Sequence, residues 1–89
     1  NVRAQTNLGF MYQNGKGASQ DYQEAIRYYK LAAEQGFAGA QYSLGLMYYR
    51  GEGVLKSLKD AAYWIKLADK NGGTKAKESW NEYELWKHE

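Results

Sequence analysis

Residues 4–17 read AQTNLGFMYQNGKG, and residues 40–53 read AQYSLGLMYYRGEG. The two stretches begin 36 residues apart, and the same register continues without a gap to Gly36 and Gly72. Of the 33 aligned pairs, 13 are identical. A repeat of this length is typical of helical solenoids, in which each unit buries its apolar face against its neighbours.

The first half of each repeat predicts an amphipathic helix. Gly15 and Gly17 follow the last apolar residue and predict the end of this helix in repeat one. The apolar residues recur three and four positions apart, as on one face of a helix. In repeat one these are Ala4, Leu8, Met11 and Tyr12.

The second half of each repeat predicts a helix that begins at a polar N-cap. Asp21 with Glu24 three residues later is a capping-box arrangement, and Ser57 with Asp60 occupies the same positions in repeat two. Gly36 marks the end of the helix in repeat one. The expected core stripes are Ala25, Tyr28, Tyr29 and Ala32, then Ala61, Trp64, Ile65 and Ala68.

Gly9 and Gly45 stand in the middle of the predicted first helices. Glycine there costs about 1 kcal/mol relative to alanine, so its repetition indicates a close approach between paired helices. We expect Ala25 and Ala61 to be the residues that approach these glycines.

Residues 74–89 predict a C-terminal capping helix, which solenoids need to cover the last apolar face. We therefore expect one all-α domain over residues 1–89, a right-handed α/α solenoid. Repeat one covers 4–39, repeat two covers 40–73 and the capping helix covers 74–89. The capping helix presents apolar side chains at helical spacing, namely Ala76, Trp80, Tyr83 and Trp86.

Composition excludes several classes of function. The chain has no cysteine, which excludes disulfides and thiolate metal sites, and its net charge of +2 is too small to indicate a nucleic-acid partner. No apolar run reaches the roughly 18 residues of a membrane span. We expect a soluble protein, cytoplasmic or exported. No targeting segment is visible, but the chain opens at Asn1 without a methionine, so this does not decide the compartment.

These residues resemble the Sel1-like repeat, a relative of the tetratricopeptide repeat. The pattern of that family has conserved alanine, Leu-Gly, tyrosine and Gly-x-Gly positions, followed by a cap and a second helix. Repeat one matches it at Ala4, Leu8, Gly9, Tyr12, Gly15, Gly17, Asp21, Ala25, Tyr29, Ala32, Ala33, Gln35 and Gly36. Repeat two matches it at Ala40, Leu44, Gly45, Tyr48, Gly51, Gly53, Val54, Ala61, Trp64, Ala68 and Gly72.

The resemblance implies an α-solenoid in which the first helices line a concave surface. It also implies adaptor or scaffold work in protein complexes, commonly in bacteria. The matching residues are structural, so the resemblance does not identify the partner.

A partner-binding surface is predicted on the side of the first helices opposite Leu8. At 100° per residue, this side carries apolar and aromatic residues where a solvated face would be polar. Exposed apolar clusters mark interaction sites, and tyrosine and arginine are favoured there. The predicted partner-binding residues are Arg3, Thr6, Phe10, Gln13, Tyr42, Leu46, Tyr49 and Arg50.

The same residues have a structural interpretation. First helices of successive repeats lie side by side, so Phe10, Leu46, Tyr42 and Tyr49 are also expected to contact the neighbouring unit. The binding interpretation fails if Tyr42 and Tyr49 are both fully buried.

The outer edge of repeat one is expected to need a cover, because a stable array usually has at least three repeats. Further repeats upstream of Asn1 or a symmetric homo-oligomer would provide it. Without either, the chain would be marginally stable.

No catalytic, metal or cofactor site is predicted. His88 is the only histidine and is expected to be exposed, and Gly15-Lys16-Gly17 lacks the remainder of a phosphate-binding loop. A basic–aromatic patch at Lys70, Lys75, Lys77 and Trp80 is interrupted by Glu78, Glu82 and Glu84, which argues against nucleic acid.

The sequence therefore predicts a non-enzymatic scaffold or adaptor that binds a peptide or partner protein through its concave face. Nucleic acid and membrane insertion are not expected. One alternative is a structural segment of a longer repeat array. A second is a small-ligand-binding or hydrolytic protein of β-lactam type, although Ser19, Ser43, Ser57 and Ser79 lack a recognisable base.

Overall fold

The computed structural model describes residues 1–89 and contains only helices. The elements are α1 (Val2–Asn14), α2 (Tyr22–Ala33), α3 (Ala38–Arg50), α4 (Leu58–Lys70) and α5 (Ala76–Glu82), followed by a 3₁₀ helix (Leu85–His88). The predicted all-α solenoid is confirmed.

Consecutive helices pack as two hairpins in series. Helix α1 pairs with α2, and α3 pairs with α4, because short loops return the chain alongside itself. Helix α2 also packs against α3, which joins the two hairpins, and α5 with the 3₁₀ helix packs on α4. No helix combines the length and hydropathy that crossing a bilayer requires.

The second helix of each hairpin begins at the predicted cap. The Asp21 carboxylate accepts from the Glu24 amide at 3.2 Å, and the Ser57 hydroxyl accepts from the Asp60 amide at 3.1 Å. The reciprocal half of a capping box is absent, because the amides of Asp21 and Ser57 donate to carbonyls of the preceding helix. These bonds connect the start of each second helix to the preceding helix of its hairpin.

Glycine permits the closest approach within each hairpin. A Cβ on Gly9 would lie 2.7 Å from the Tyr29 ring, and a Cβ on Gly45 would lie 2.6 Å from Cγ1 of Ile65. The expected partner Ala25 is therefore wrong for Gly9. Ala61 approaches Gly45 only through its carbonyl oxygen, since the side chain that fills the space belongs to the residue one turn later.

Two apolar clusters form the core, one between α2 and α3 and one between α4 and the capping segment. The first consists of Ala25, Tyr29, Ala32, Ala33, Ala40, Leu44 and Met47. The second consists of Ala61, Ala62, Ile65, Ala68, Ala76 and Leu85. Tyr48 packs against both clusters and links them.

The predicted core stripe of α1 is only partly covered. Leu8 is 36% exposed, whereas its equivalent Leu44 is 1% exposed. Ala4 is likewise exposed and Ala40 buried. The difference arises because α2 covers this side of α3, while no helix covers the corresponding side of α1.

The capping segment departs from the predicted continuous helix. Helix α5 ends at Glu82, and Glu84 adopts a left-handed conformation with φ of 54° that turns the chain. As a result Leu85 is fully buried and Trp86, predicted to lie on the core stripe, is 48% exposed. His88 is half-buried in the 3₁₀ helix, not exposed as expected.

Candidate functional site

The eight residues predicted to bind a partner lie on α1 and α3, and none of them is buried. We call this surface the α1–α3 face. The Gln13 Nε2 donates to Glu52 Oε1 at 3.4 Å, which connects α1 to the loop that follows α3. This bond is the link that the structure shows between the α1 members and the α3 end of the face. Its members are Arg3, Thr6, Phe10, Gln13, Tyr42, Leu46, Tyr49 and Arg50.

Three members of the α1–α3 face are open to solvent. Phe10 is 50% exposed, and Arg3 and Arg50 are exposed without forming an ion pair. The Lys16 ammonium lies 5.6 Å from the centre of the Phe10 ring. An exposed phenylalanine beside a lysine that forms no ion pair offers both apolar area and charge to a partner.

Two members on α1 are engaged within the chain. The Thr6 hydroxyl donates to the Val2 carbonyl at 2.7 Å. The Gln13 Oε1 accepts from the Tyr29 hydroxyl at 2.7 Å. The side chains of Thr6 and Gln13 are therefore held by hydrogen bonds within the chain.

The α3 members contact α5 and Tyr83 directly after it, which the sequence did not indicate. The Tyr42 and Ser79 hydroxyls lie 3.0 Å apart, and the rings of Tyr49 and Tyr83 stack with centroids 4.1 Å apart. Leu46 packs against the second core cluster. Tyr42 and Tyr49 are therefore half-buried, and each combines a packing contact with remaining exposed area.

The buried phenol of Tyr29 contacts the α1–α3 face through Gln13. Tyr29 belongs to the first core cluster, and desolvation raises its pKa above the ordinary value, an effect that the nearby Ser43 side chain partly offsets. Burial favours the neutral phenol, and its hydroxyl donates a hydrogen bond to Gln13, a member of the α1–α3 face.

Tyr29→Phe is expected to flatten the loss of stability at alkaline pH. The unfolded chain ionises this phenol near pH 10 but the folded chain ionises it higher, so stability is full below that pH and falls as pH rises through it. This group contributes at most about 1.4 kcal/mol per pH unit. Urea unfolding of both proteins between pH 8 and 11 measures it, and equal alkaline slopes would contradict the assignment.

The remaining candidate chemistry does not come together in the structure. No group of three His, Cys, Asp or Glu side chains is placed to hold a metal ion. Gly15, with φ of 67°, ends α1 as a left-handed cap. Trp80 packs against the second core cluster, which separates it from the exposed Lys70, Lys75 and Lys77.

Ser57 and Ser79 form hydrogen bonds that stabilise the fold. Ser57 caps α4, and Ser79 pairs with the Tyr42 hydroxyl. The one histidine forms no hydrogen bond with any serine. No observation therefore favours the hydrolytic alternative.

The stacked hairpins, the paired mid-helix glycines and the partly apolar face of the first helices define an α-solenoid repeat protein. The family model described as Sel1 repeat matches residues 2–37 and 38–72. The chain belongs to the Sel1 repeat family, whose repeats generally mediate protein interactions.

Solved structures of the same kind are similar to the chain. A Sel1 repeat protein from Oxalobacter formigenes is 38% identical with a TM-score of 0.87, over 89% of this chain and 32% of that protein. A protective antigen present in uropathogenic Escherichia coli strains, displaying an SLR fold, is 37% identical with a TM-score of 0.88. That match covers 91% of this chain and 17% of the antigen. Among curated proteins, sequence comparison finds no relative.

Proposed function

We propose that the chain is a scaffold or adaptor that binds a peptide or a partner protein through the α1–α3 face. The observation that carries this proposal is the exposed Phe10 ring, which lies on that face with the unpaired Arg3 and Arg50. Aromatic and arginine side chains are enriched at protein interfaces, and a few such residues carry most of the binding energy. The half-buried Tyr42 and Tyr49 extend the apolar area toward α5.

Phe10→Ala combined with Arg50→Ala is expected to weaken partner binding at least tenfold, which corresponds to about 1.4 kcal/mol. Peptides selected from a display library on the immobilised chain supply the ligand, and fluorescence anisotropy measures the Kd. Phe10 and Arg50 are better targets than Tyr42 and Tyr49, because replacing either tyrosine also disturbs contacts with α5.

Leu55→Ala combined with Arg27→Ala serves as the matched control. Leu55 is the most exposed large apolar residue, at 91%, and Arg27 contacts only Glu24 and the Tyr28 ring on its own helix. Circular dichroism establishes that both double variants fold. Equal binding by the Phe10/Arg50 variant and the wild type would place the partner site elsewhere.

A second candidate function is a structural segment of a longer repeat array. The exposed Leu8 favours it, because the equivalent Leu44 is covered by the preceding hairpin. Further repeats before Asn1 or a symmetric second copy would cover this edge in the same manner. Light scattering that gives a stable monomer of residues 1–89 would count against both covers.

A further inference from the structure

The outer surface of α4 carries a regular row of one aromatic and three basic residues. Lys59, Tyr63, Lys66 and Lys70 are spaced by four, three and four positions, so they lie along one side of the helix. The opposite side carries the buried Ala61, Ile65 and Ala68. We call this row the lysine–tyrosine stripe.

Two of the three lysines on the stripe have no ion-pair partner within the protein. The Lys66 ammonium lies 2.8 Å from Oε2 of Glu89, and this is the only ion pair on the stripe. Asp60 and Asp69 are exposed on the same helix but form no ion pair with its lysines. Two of the three ammonium groups are therefore free to bind an anion.

The corresponding surface of α2 lacks these properties. Gln23, Arg27, Lys30 and Glu34 occupy the equivalent positions, so both charge signs are present. Arg27 is also paired with Glu24 at 2.8 Å. The stripe is therefore a property of α4 and does not follow from the repeat pattern.

Tyr63 adds an apolar element at the centre of the stripe. Its side chain is 60% exposed, and its ring meets that of Trp64 edge to face, with centroids 5.1 Å apart. A hollow of about 240 Å³ lies between Tyr63, Lys59, Lys66 and Glu89, and another of about 220 Å³ lies between Tyr63, Lys66, Leu67 and Lys70. Each hollow has the size of one or two aliphatic side chains.

We propose that the lysine–tyrosine stripe binds an acidic peptide segment of another protein. Carboxylates of the segment contact Lys59 and Lys70, and its aliphatic side chains fill the hollows beside Tyr63. Glu89 already makes a contact of this kind within the chain, because its carboxylate forms an ion pair with Lys66 at the edge of a hollow. It therefore competes with the incoming segment at that lysine.

Peptide is favoured over nucleic acid by the extent of the stripe. The three lysines span about 16 Å of helix, which reaches far fewer phosphates than the six to ten contacted by a typical duplex binder. A single tyrosine also offers only one stacking platform for a single strand. The carboxylate of Glu89 and the apolar hollows fit an acidic segment that contains aliphatic residues.

The test uses a fluorescein-labelled peptide of alternating glutamate and leucine, with a glutamine-for-glutamate peptide as control ligand. The triple variant Lys59→Gln, Lys66→Gln, Lys70→Gln is expected to weaken binding about tenfold at low salt. Tyr63→Ala is expected to weaken it about fivefold, because the apolar contact is lost. Glu89→Gln is expected to strengthen it about twofold, because Lys66 is released.

A charge-matched variant separates the stripe from the overall charge. Lys30→Gln, Lys75→Gln, Lys77→Gln removes the same charge from exposed lysines outside the stripe and is expected to change the Kd less than twofold. An equal loss in both triple variants, or equal binding of the glutamine peptide, overturns the proposal. Tighter stripe-dependent binding of oligo(dT) or of phosphatidylserine vesicles also overturns it.

The Phe10/Arg50 variant is expected to retain the acidic peptide, since its changes lie on α1 and α3. Failure of the stripe and failure of the α1–α3 face are therefore distinguishable. If the stripe does not bind, the stripe variants bind the glutamate peptide no differently from the wild type. If the α1–α3 face does not bind, the Phe10/Arg50 variant binds the selected library peptides no differently from the wild type.

Discussion

Replacing Leu44 with alanine is expected to lower the free energy of unfolding by about 3 kcal/mol, and replacing Leu8 by less than about 1 kcal/mol. The two leucines occupy equivalent positions in the repeats, so their chemistry and helix position are matched. Leu44 is 1% exposed inside the first core cluster, and its removal leaves a cavity. Leu8 is 36% exposed, and solvent fills the space that it vacates.

Urea unfolding of the two variants and the wild type measures the difference. A loss of 3 kcal/mol in a domain of this size also lowers the Tm by about 15 °C. Equal losses in the two variants would mean that the edge of α1 is covered in solution, and concentration-dependent stability would then identify a second copy as the cover.

The same pair tests the array alternative. In a longer chain that carries a further repeat before Asn1, the added second helix would cover α1 as α2 covers α3. Leu8→Ala would then become as costly as Leu44→Ala, because both leucines would be buried. A cost that stays small in the longer chain would argue that the preceding repeat does not continue this solenoid.

Much of the fold could be predicted from the sequence because its determinants are local. A cap residue acts on amides two or three positions away, so Asp21 and Ser57 identified the starts of α2 and α4. Gly15 and Gly51 end α1 and α3 in a left-handed conformation that glycine favours, with φ of 67° and 72°. The 36-residue period then gave the hairpins and their order.

The contacts between helices were predicted less well. Ala25 and Ala61 were expected as the partners of the glycines because small residues permit close approach, but Tyr29 and Ile65 fill that space. Residue size alone therefore did not identify which side chains meet the glycines. The capping segment was missed for a related reason. The left-handed Glu84 depends on burial of Leu85 against α4, and helical spacing does not report such a tertiary contact.

The α1–α3 face was predictable in position but not in its contacts. Helical geometry placed all eight residues outside the core, because 100° per residue applies to any α-helix. The pairing of Tyr42 with Ser79 and of Tyr49 with Tyr83 depends on where α5 lies, which the pattern did not give. Binding by this face remains a prediction for the peptide experiment.

Gly45→Ala is expected to destabilise the protein by about 2 kcal/mol, although alanine favours a helix over glycine by about 1 kcal/mol. The new methyl group would lie 2.6 Å from Cγ1 of Ile65 and 3.3 Å from the Ala61 carbonyl oxygen. Ile65 is fully buried and cannot move aside, so α3 and α4 must separate. Overpacking therefore outweighs the gain in helix propensity.

Gly39→Ala is the control on the same helix, because Gly39 is exposed and its Cβ would meet only the edge of the half-buried Phe37 ring. It is expected to be neutral or to stabilise α3 by up to about 1 kcal/mol. Ile65→Ala should reduce the cost of Gly45→Ala, since it removes the atom that the methyl group meets, and a double-mutant cycle by urea unfolding measures this coupling. Additive losses in that cycle would show that Gly45 is required for another reason, whereas a coupling of 1 kcal/mol or more would establish close approach as the reason that glycine recurs at this position in both repeats.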